Sequence, residues 1–405
     1  MEQQTHETAN RDYIPRVALL IETSRSFGRE VLQGIIQYTR LYTPWHLYHL
    51  PGDMSQTLPD MIRWGGNGII ARIPNAKIEK EILATGLPVV GITLSDEQSS
   101  PTSPCVRFSE VRADSRAAGR MAAEYFLEKK FQNFAFVGEP RKENWSEQRR
   151  EGFRHRLEQE GYPCHCYIAN TSQLHWGKEI DRLGKWLQSL PKPTALLAAL
   201  DIRGRQVISA CGEFGIRVPD DIAVLGIDND ELICGTSQPP MSSIQLGARQ
   251  GGFKAAEMLA AMMAGTMKRP KCYYAPAIRV VERPSTDIFM VSDEIVAEAV
   301  RFITVNAMYP VNVAKVAEHM QLSRKTIENR FKKSLNCTVL NVINRERIKR
   351  IKLLLTETNT SIQEIADKCH FDNASNLCKF FRRECQMTMK TYRQQWLKQQ
   401  FEEKF

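Results

Sequence analysis

From residue 16 to about 285 the chain alternates short apolar runs with longer stretches in which hydrophobic positions recur every three to four residues. The runs RVALLIE, WHLYHL, NGIIARI, LPVVGIT and CVRFS are bounded by Gly, Pro or polar residues and predict buried strands. Between them FGREVLQGIIQYTRLY, PDMIRWG and NAKIEKEILATG predict helices, the last closing at Gly86 as a C-cap. The alternation restarts with a helix at RADSRAAGRMAAEYFLEKK, a strand at NFAFVG, a helix at WSEQRREGFRHRLEQEG and a strand at CHCYIA. It continues through TALLAALD, a helix from about 203 to 214, and IAVLGID. Repeated βα units imply parallel sheets covered by helices on both faces. A stretch of this length exceeds what one core supports, so the pattern predicts a doubly wound α/β domain of two lobes. After Pro239–Pro240, SSIQL and the helix GARQGGFKAAEMLAAMMAG read as a return into the first lobe, with AIRVVERPSTD closing the array.

From about 293 the pattern becomes all-helical, and Gly is absent from residue 266 onward. The expected division is a flexible arm at 1–15, the α/β domain at 16–284, a linker at 285–292 and a helical domain at 293–400. Hydrophobic residues make up 42% and charged residues 25%, the balance of a globular protein with real cores. No apolar run approaches the roughly 20 residues a membrane helix needs, and the opening MEQQTHETANRDYIP has no apolar signal segment. A cytoplasmic protein without a membrane partner is expected. The ten cysteines are scattered singly, as for reduced thiols. The exception is Cys164–His165–Cys166, where a strand would put both sulfurs on one face; no second ligand pair sits at a zinc-like spacing, so no metal site is expected.

Charge is uneven. Residues 286–405 hold 20 Lys and Arg against 14 Asp and Glu, leaving 35 against 32 for the first 285. A small basic domain on a near-neutral body points weakly to a polyanion partner. An internal duplication sharpens this. VNVAKVAEHMQLSRKTIENRFKKSL (311–335) and TSIQEIADKCHFDNASNLCKFFRREC (360–385) each contain a short helix with an Ala (Ala317, Ala366), a tight turn, a capping residue (Ser323, Asn373) and a second helix ending in Phe and basic residues. Val316, Leu322, Ile327 and Phe331, and correspondingly Ile365, Phe371, Leu377 and Phe381, would form the small cores. Two helices joined in this way make a helix-turn-helix, whose second helix enters the major groove of double-stranded DNA.

This stretch resembles the DNA-binding domain of the AraC/XylS family over about 290–397, most specifically at IADKCHFDNASNLCKFFRRECQMTMKTYR. The resemblance implies base reading by Lys325 and Asn329, with Arg324 beside them, and by Ser375 and Lys379, with Asn376 and Arg382 nearer the phosphates. Lys suits guanine O6/N7 and Asn suits adenine. Gln321 and His370 stand where that family has a turn Gly, which implies a strained or remodelled turn, and Met389 where it has Pro.

In open α/β sheets ligands bind at the carboxyl ends of strands. There this chain has Glu22–Arg29, including Ser24 and Phe27, then Trp145 with Arg149, Asp201, and Asp228. No GxGxxG, P-loop, metal-ligand set or nucleophile elbow is present, so no cofactor and no catalytic site are expected. Carboxylates, a guanidinium and an indole around a cleft suit a sugar. Each residue also has a simpler role open to it: capping for Asp228, Asp201 and the Ser24–Arg29 loop, core packing for Trp145, a surface ion pair for Arg149. A sugar-processing enzyme using Asp201 and Asp228 as an acid/base pair is the alternative of a different class.

Residues 16–284 resemble the LacI/GalR-type, periplasmic-binding-protein-like sensor domain, through VRADSRAAGRMAAEYFLEK, Arg149–Phe153 and VPDDIAVLGIDNDE. Arg149 and Asp228 fall where that family contacts sugar, and Asp201 falls on its A-x-D strand end. Such a sensor followed by an AraC-type reader implies a sugar-responsive transcription regulator, an activator, with D-xylose or another pentose or sugar acid as effector. A homodimer is expected, with RNA polymerase as a further partner.

Overall fold

The computed structural model describes residues 14–53, 57–140, 143–167, 176–287, 293–358 and 360–395. The chain divides into two compact units, Met1–Ile288 and Phe289–Phe405. Most of the expected arm (1–13) and of the expected linker (288–292), and the end of the helical domain from 396, lie outside the described residues.

The first unit is built on two six-stranded sheets. In the first lobe β1 (Arg16–Leu20), α1 (Ser26–Leu41), β2 (His46–His49), α2 (Met61–Trp64), β3 (Gly68–Ala71), α3 (Ala76–Thr85), β4 (Val89–Ile92) and β5 (Ser109–Ala113) follow in order. The second lobe holds α4 (Ser115–Glu128), β6 (Phe134–Val137), α5 (Asn144–Glu158), β7 (Cys164–Tyr167), α6 (Trp176–Ser189), β8 (Thr194–Ala198), α7 (Asp201–Glu213), β9 (Ile222–Ile227), α8 (Glu231–Gly235) and β10 (Ser242–Leu246). The chain returns through α9 (Ala248–Met263) and β11 (Cys272–Ala275), then crosses back as β12 (Ala277–Val281). Strand orders are β11-β5-β4-β3-β1-β2 and β12-β10-β9-β8-β6-β7, the same winding in both lobes. All pairings are parallel except β12 on β10.

The apolar runs are strands because they are buried on both faces, as Val17–Leu20, Ile69–Ala71, Phe134–Val137 and Ile222–Leu225 show. Helix ends follow local chemistry. The Asn75 side chain accepts from Lys77 N and Ile78 N to start α3, and Gly86 closes it at φ 65°. Three expectations need correction. CVRFS is not a strand: Pro104 and the Ser103 hydroxyl, which accepts from Cys105 N, fold Pro104–Arg107 into a 3-10 turn, and β5 begins at Ser109. The following helix starts at Ser115, because Asp114 caps Ala117 N. SSIQL belongs to the second sheet, where β10 lies between β9 and β12, and only α9 and β11 return to the first. The linker boundary at 285 also moves. Ser285 and Thr286 are fully buried in the second lobe, where Ser285 Oγ donates to Val224 O at 2.6 Å and the Thr286 and Tyr125 hydroxyls lie 2.7 Å apart.

Each lobe carries one tightly crossed helix pair, α1 with α9 and α4 with α5. A Cβ on Gly252 would lie 1.9 Å from Val31 O, and one on Gly119 would lie 2.1 Å from Arg149 O. These positions therefore admit only hydrogen, and the second fixes how closely α4 approaches the turn of α5 that carries Arg149. Phe153, one turn further on, is fully buried between Phe126 and Phe134 with ring centroids 6.4 Å away on each side. It anchors α5 to the sheet; losing such a side chain costs about 3–5 kcal/mol.

The second unit contains α10 (Glu294–Val305), α11 (Val313–His319), α12 (Arg324–Leu335), α13 (Val339–Glu357), α14 (Ile362–Lys368) and α15 (Ala374–Cys385). The duplication is visible in its caps. Asn312, Ser323 and Thr338 cap α11, α12 and α13; Ser361 caps α14 in a capping box with Glu364, and Asn373 caps α15. Val316, Ile327 and Phe331 are fully buried in one core and Ile365, Leu377 and Phe381 in the other, with Leu322 and Phe371 packed at their edges. Among the described residues no helix is long and apolar enough to cross a membrane.

The turns between paired helices are strained as the missing glycines imply: Gln321 and His370 both sit at φ 53°. A side chain in this left-handed region costs about 1–2 kcal/mol. Gln321 is exposed, so Gln321→Gly is expected to raise the stability of the helical unit by about 1 kcal/mol, less the extra chain entropy of Gly. Chemical denaturation of the variant checks this; an unchanged or lower midpoint would contradict it.

Candidate sugar and DNA sites

Strand β9 ends at Ile227, and the chain bends sharply at Asp228 and Asn229, with φ of 108° and 48°. Asp228 N donates to Ile244 O at 2.9 Å, so the bend is tied to β10. The strain persists because neighbours over-determine it, as at many ligand-holding positions. Helix α5 delivers Arg149 to the same place. Its Nη2 donates to Asp228 Oδ1 at 3.0 Å and its Nη1 to Ala199 O at 2.5 Å, and the residue is only 4% exposed. One turn earlier Trp145 stacks on it, with the guanidinium carbon 4.9 Å from the ring centroid. Trp145 Nε1 and Arg149 Nε are buried and have no hydrogen-bond partner among the described residues. Burial pushes the Asp228 carboxyl up, against the opposing pull of Arg149.

Asp201 lies beneath this cluster instead of facing it. Both its oxygens are engaged: Ser243 Oγ is 2.5 Å from Oδ1, and Asp230 N donates to Oδ2 at 2.6 Å. It begins α7 after the cap residue Leu200 and is not itself the N-cap. Burial first, and the charge of Asp228 second, push it from its ordinary value of 3.8 up to about 8. Folded protein therefore holds a proton that the unfolded chain releases between pH 4 and 8, and stability falls as pH rises through that window. Asp201→Asn keeps the shape and the acceptor for Asp230 N, and it is expected to flatten this slope. Melting temperatures measured from pH 4 to 8 on both proteins check it; parallel curves would contradict the assignment.

The first lobe meets the cluster across the cleft. Ser26 Oγ donates to Asp228 O at 3.3 Å, Arg29 Nη2 pairs with Asp230 Oδ2 at 2.7 Å, and Asn144 bonds Asp96. Of the loop residues expected at the site, Ser24 is exposed, with its N on Gly52 O at 3.2 Å, and Phe27 packs against the first-lobe core. Arg72, not singled out from the sequence, stands on this side beside Glu22. Glu22 is 5% exposed and accepts from Arg72 Nη1 at 2.5 Å. Arg72 follows directly on the apolar run of β3, so its position at a strand's carboxyl end was a usable signal. The cleft thus holds carboxylate acceptors, guanidinium donors and an indole face, a set that can pair with vicinal hydroxyls and pack on C–H bonds.

In the helical unit the polar residues expected at DNA are all exposed: Arg324, Lys325 and Asn329 on α12, and Ser375, Asn376, Lys379 and Arg382 on α15. Asn376 Nδ2 makes one long contact, 3.3 Å, to Asp372. Arg347 of the connecting helix supports the second unit. Its guanidinium lies 4.3 Å from the Phe371 ring centroid, and its Nη2 donates to Cys369 O at 3.0 Å.

Residues 16–110 match the XylR N-terminal domain, 123–286 a periplasmic binding protein-like domain and 316–395 a helix-turn-helix domain. The xylose operon regulatory protein of Haemophilus influenzae is 31% identical over 93% of this chain and 98% of its own length. That of Escherichia coli K12 is 29% identical over 93% and 96%. The structure of a xylose-binding transcription activator, XylR, superposes with TM-score 0.77 at 28% identity, covering 95% of this chain and 98% of that one. A CelR–cellobiose complex, 19% identical with TM-score 0.54 over 68% of this chain, shares the fold of the sensor. Two α/β lobes followed by paired helix-turn-helix units define a transcription regulator with a periplasmic-binding-protein-like sensor and an AraC-type DNA-binding domain. The chain belongs to the family of xylose operon regulatory proteins.

Proposed function

We propose that the protein is a cytoplasmic activator that binds a pentose, D-xylose foremost, in the cleft between its sensor lobes and reads operator DNA with α12 and α15. The observation that carries the sugar site is the cluster of Asp228, Arg149 and Trp145 in the cleft, with the indole and guanidinium each keeping a buried N–H unpaired. Buried donors of this kind are costly unless a ligand oxygen meets them. Asp228 accepts sugar hydroxyls and Arg149 donates to them, while Asp201 holds the 228–230 bend through Asp230 N and Ser243. This arrangement disfavours an acid/base pair, since Asp201 presents no free oxygen to a substrate.

On the DNA side, the 19 residues of α13 span about 28 Å, close to the roughly 34 Å between successive major-groove faces. One chain then covers two adjacent grooves, and a homodimer covers two such sites, with RNA polymerase engaged beside them. The deciding experiment is thermal denaturation of the purified protein against a panel of aldoses. D-xylose at about 100 times its Kd stabilises by about 2.7 kcal/mol, and it is expected to shift melting more than its epimers. No shift with any aldose at millimolar concentration would overturn the sensor assignment.

A further inference from the structure

The edge strand β7 carries two thiols that the sensor does not use. Cys164 and Cys166 are two residues apart on the outermost strand of the second sheet, so their side chains share one face. Cys166 is exposed and Cys164 half-buried; the Cys166 thiol donates to Cys164 O and the Cys164 thiol to His165 O, each at 3.8 Å. Arg150 and Arg154, one turn apart on α5, lie close enough to favour negative charge on Cys166. The neighbouring Cys164 thiol first, and the two arginines after it, lower the Cys166 thiol to about 7, within reach of neutral pH. The other thiols show no such arrangement: Cys105, Cys211, Cys234 and Cys369 are buried, and no other two cysteines stand two positions apart in the sequence.

We propose that Cys164 and Cys166 form a chelating dithiol, a surface site for trivalent arsenicals and kindred thiophilic ions that accept two sulfurs. Strand geometry favours bridging by such an atom over direct S–S closure. Residues i and i+2 of a strand are about 6.6 Å apart at Cα, at the long end of the roughly 4.4–6.8 Å that a disulfide tolerates. An inserted arsenic lengthens the bridge and relieves that demand. It also needs only two protein ligands, whereas structural zinc needs four. Two soft thiolate sulfurs on one strand face suit an acceptor that takes two sulfurs. With phenylarsine oxide the reaction balances without oxidation. Two S–H bonds break, two As–S bonds form, and the oxide oxygen leaves as water with both thiol protons.

The test uses full-length protein, phenylarsine oxide and excess glutathione, read by intact mass. Wild type is expected to retain one phenylarsenic group against the monothiol and to release it to a small dithiol such as dimercaptopropanesulfonate. Proteolysis should place the group on the peptide holding both cysteines. Cys164→Ser and Cys166→Ser, each on an exposed edge where Ser fits, should each lose retention at least tenfold at unchanged melting temperature. No retention by wild type, an adduct mapped to other cysteines, or retention unaltered in the Cys166→Ser protein would overturn the proposal.

Discussion

Asp228→Asn is expected to abolish the melting shift produced by D-xylose while leaving the melting temperature of the sugar-free protein within a few degrees of wild type. The substitution isolates charge from shape. Asn tolerates positive φ better than most residues, so it can occupy the bend at φ 108°. Its Oδ1 can still accept from Arg149 Nη2, which spares the protein a buried guanidinium lacking that partner. What it loses is a carboxylate able to accept from two hydroxyls at once. Hydrogen bonds to a charged partner contribute about 1.5–3 kcal/mol each, and leaving a sugar hydroxyl facing an amide N–H adds to the loss. Weakening by roughly 100-fold or more is the expected scale. Asp228→Ala makes the contrast: it also removes sugar binding, but it strands Arg149, which is 4% exposed, and should cost about 3–5 kcal/mol of fold stability. Calorimetry with D-xylose and denaturation of both variants decide the matter. An Asn variant that binds sugar as wild type does would remove Asp228 from the site.

The second large effect concerns DNA. Lys325→Ala and Lys379→Ala are each expected to lower affinity for operator DNA by about 10–100-fold, the 1–3 kcal/mol of a good base contact, with little change on random DNA. Lys332→Ala and Arg382→Ala, in the last turns of α12 and α15, should weaken operator and random DNA alike and lower the salt slope by about one. The distinction is geometric. Residues near the start of a recognition helix point into the groove, and basic residues at its end meet the backbone. Equal losses on both DNAs for Lys325→Ala would mean that it contacts phosphate.

Much of this was legible in the residues because buried parallel strands announce themselves as unbroken apolar runs and because the duplicated helix pairs carry matching caps. What escaped was decided by contacts distant in sequence. SSIQL is assigned to the second sheet by polar groups: Ser242 and Ser243 are fully buried yet bonded to Ser285, Thr286 and Asp201. No local pattern reveals those partners. CVRFS misled because burial and strand are different things; Cys105 and Phe108 are buried at 1% and 6% exposure from a turn. At the site, strand ends pointed to Trp145, Arg149 and Asp228, three side chains that the fold brings into contact. They could not show that Asp201 turns inward to Ser243, nor that Glu22 would meet Arg72 fifty positions on. The left-handed turns at Gln321 and His370 were readable in advance, because a position that usually holds Gly keeps its φ even when another residue occupies it.

The central claim is that sugar in the sensor cleft changes how the reader engages DNA, through the geometry of two chains and not through the fold of the reader. The most direct measurement is binding of full-length protein to a paired operator site, with and without saturating D-xylose, beside the isolated 289–405 unit on a single site. In the proposed coupling, lobe closure on sugar repositions the two readers, and paired sites gain through effective concentration. The account predicts tighter paired-site binding by full-length protein when xylose is present, and single-site binding by the isolated unit that ignores it. A full-length protein that binds xylose measurably yet holds the paired site with the same affinity in both conditions would contradict it.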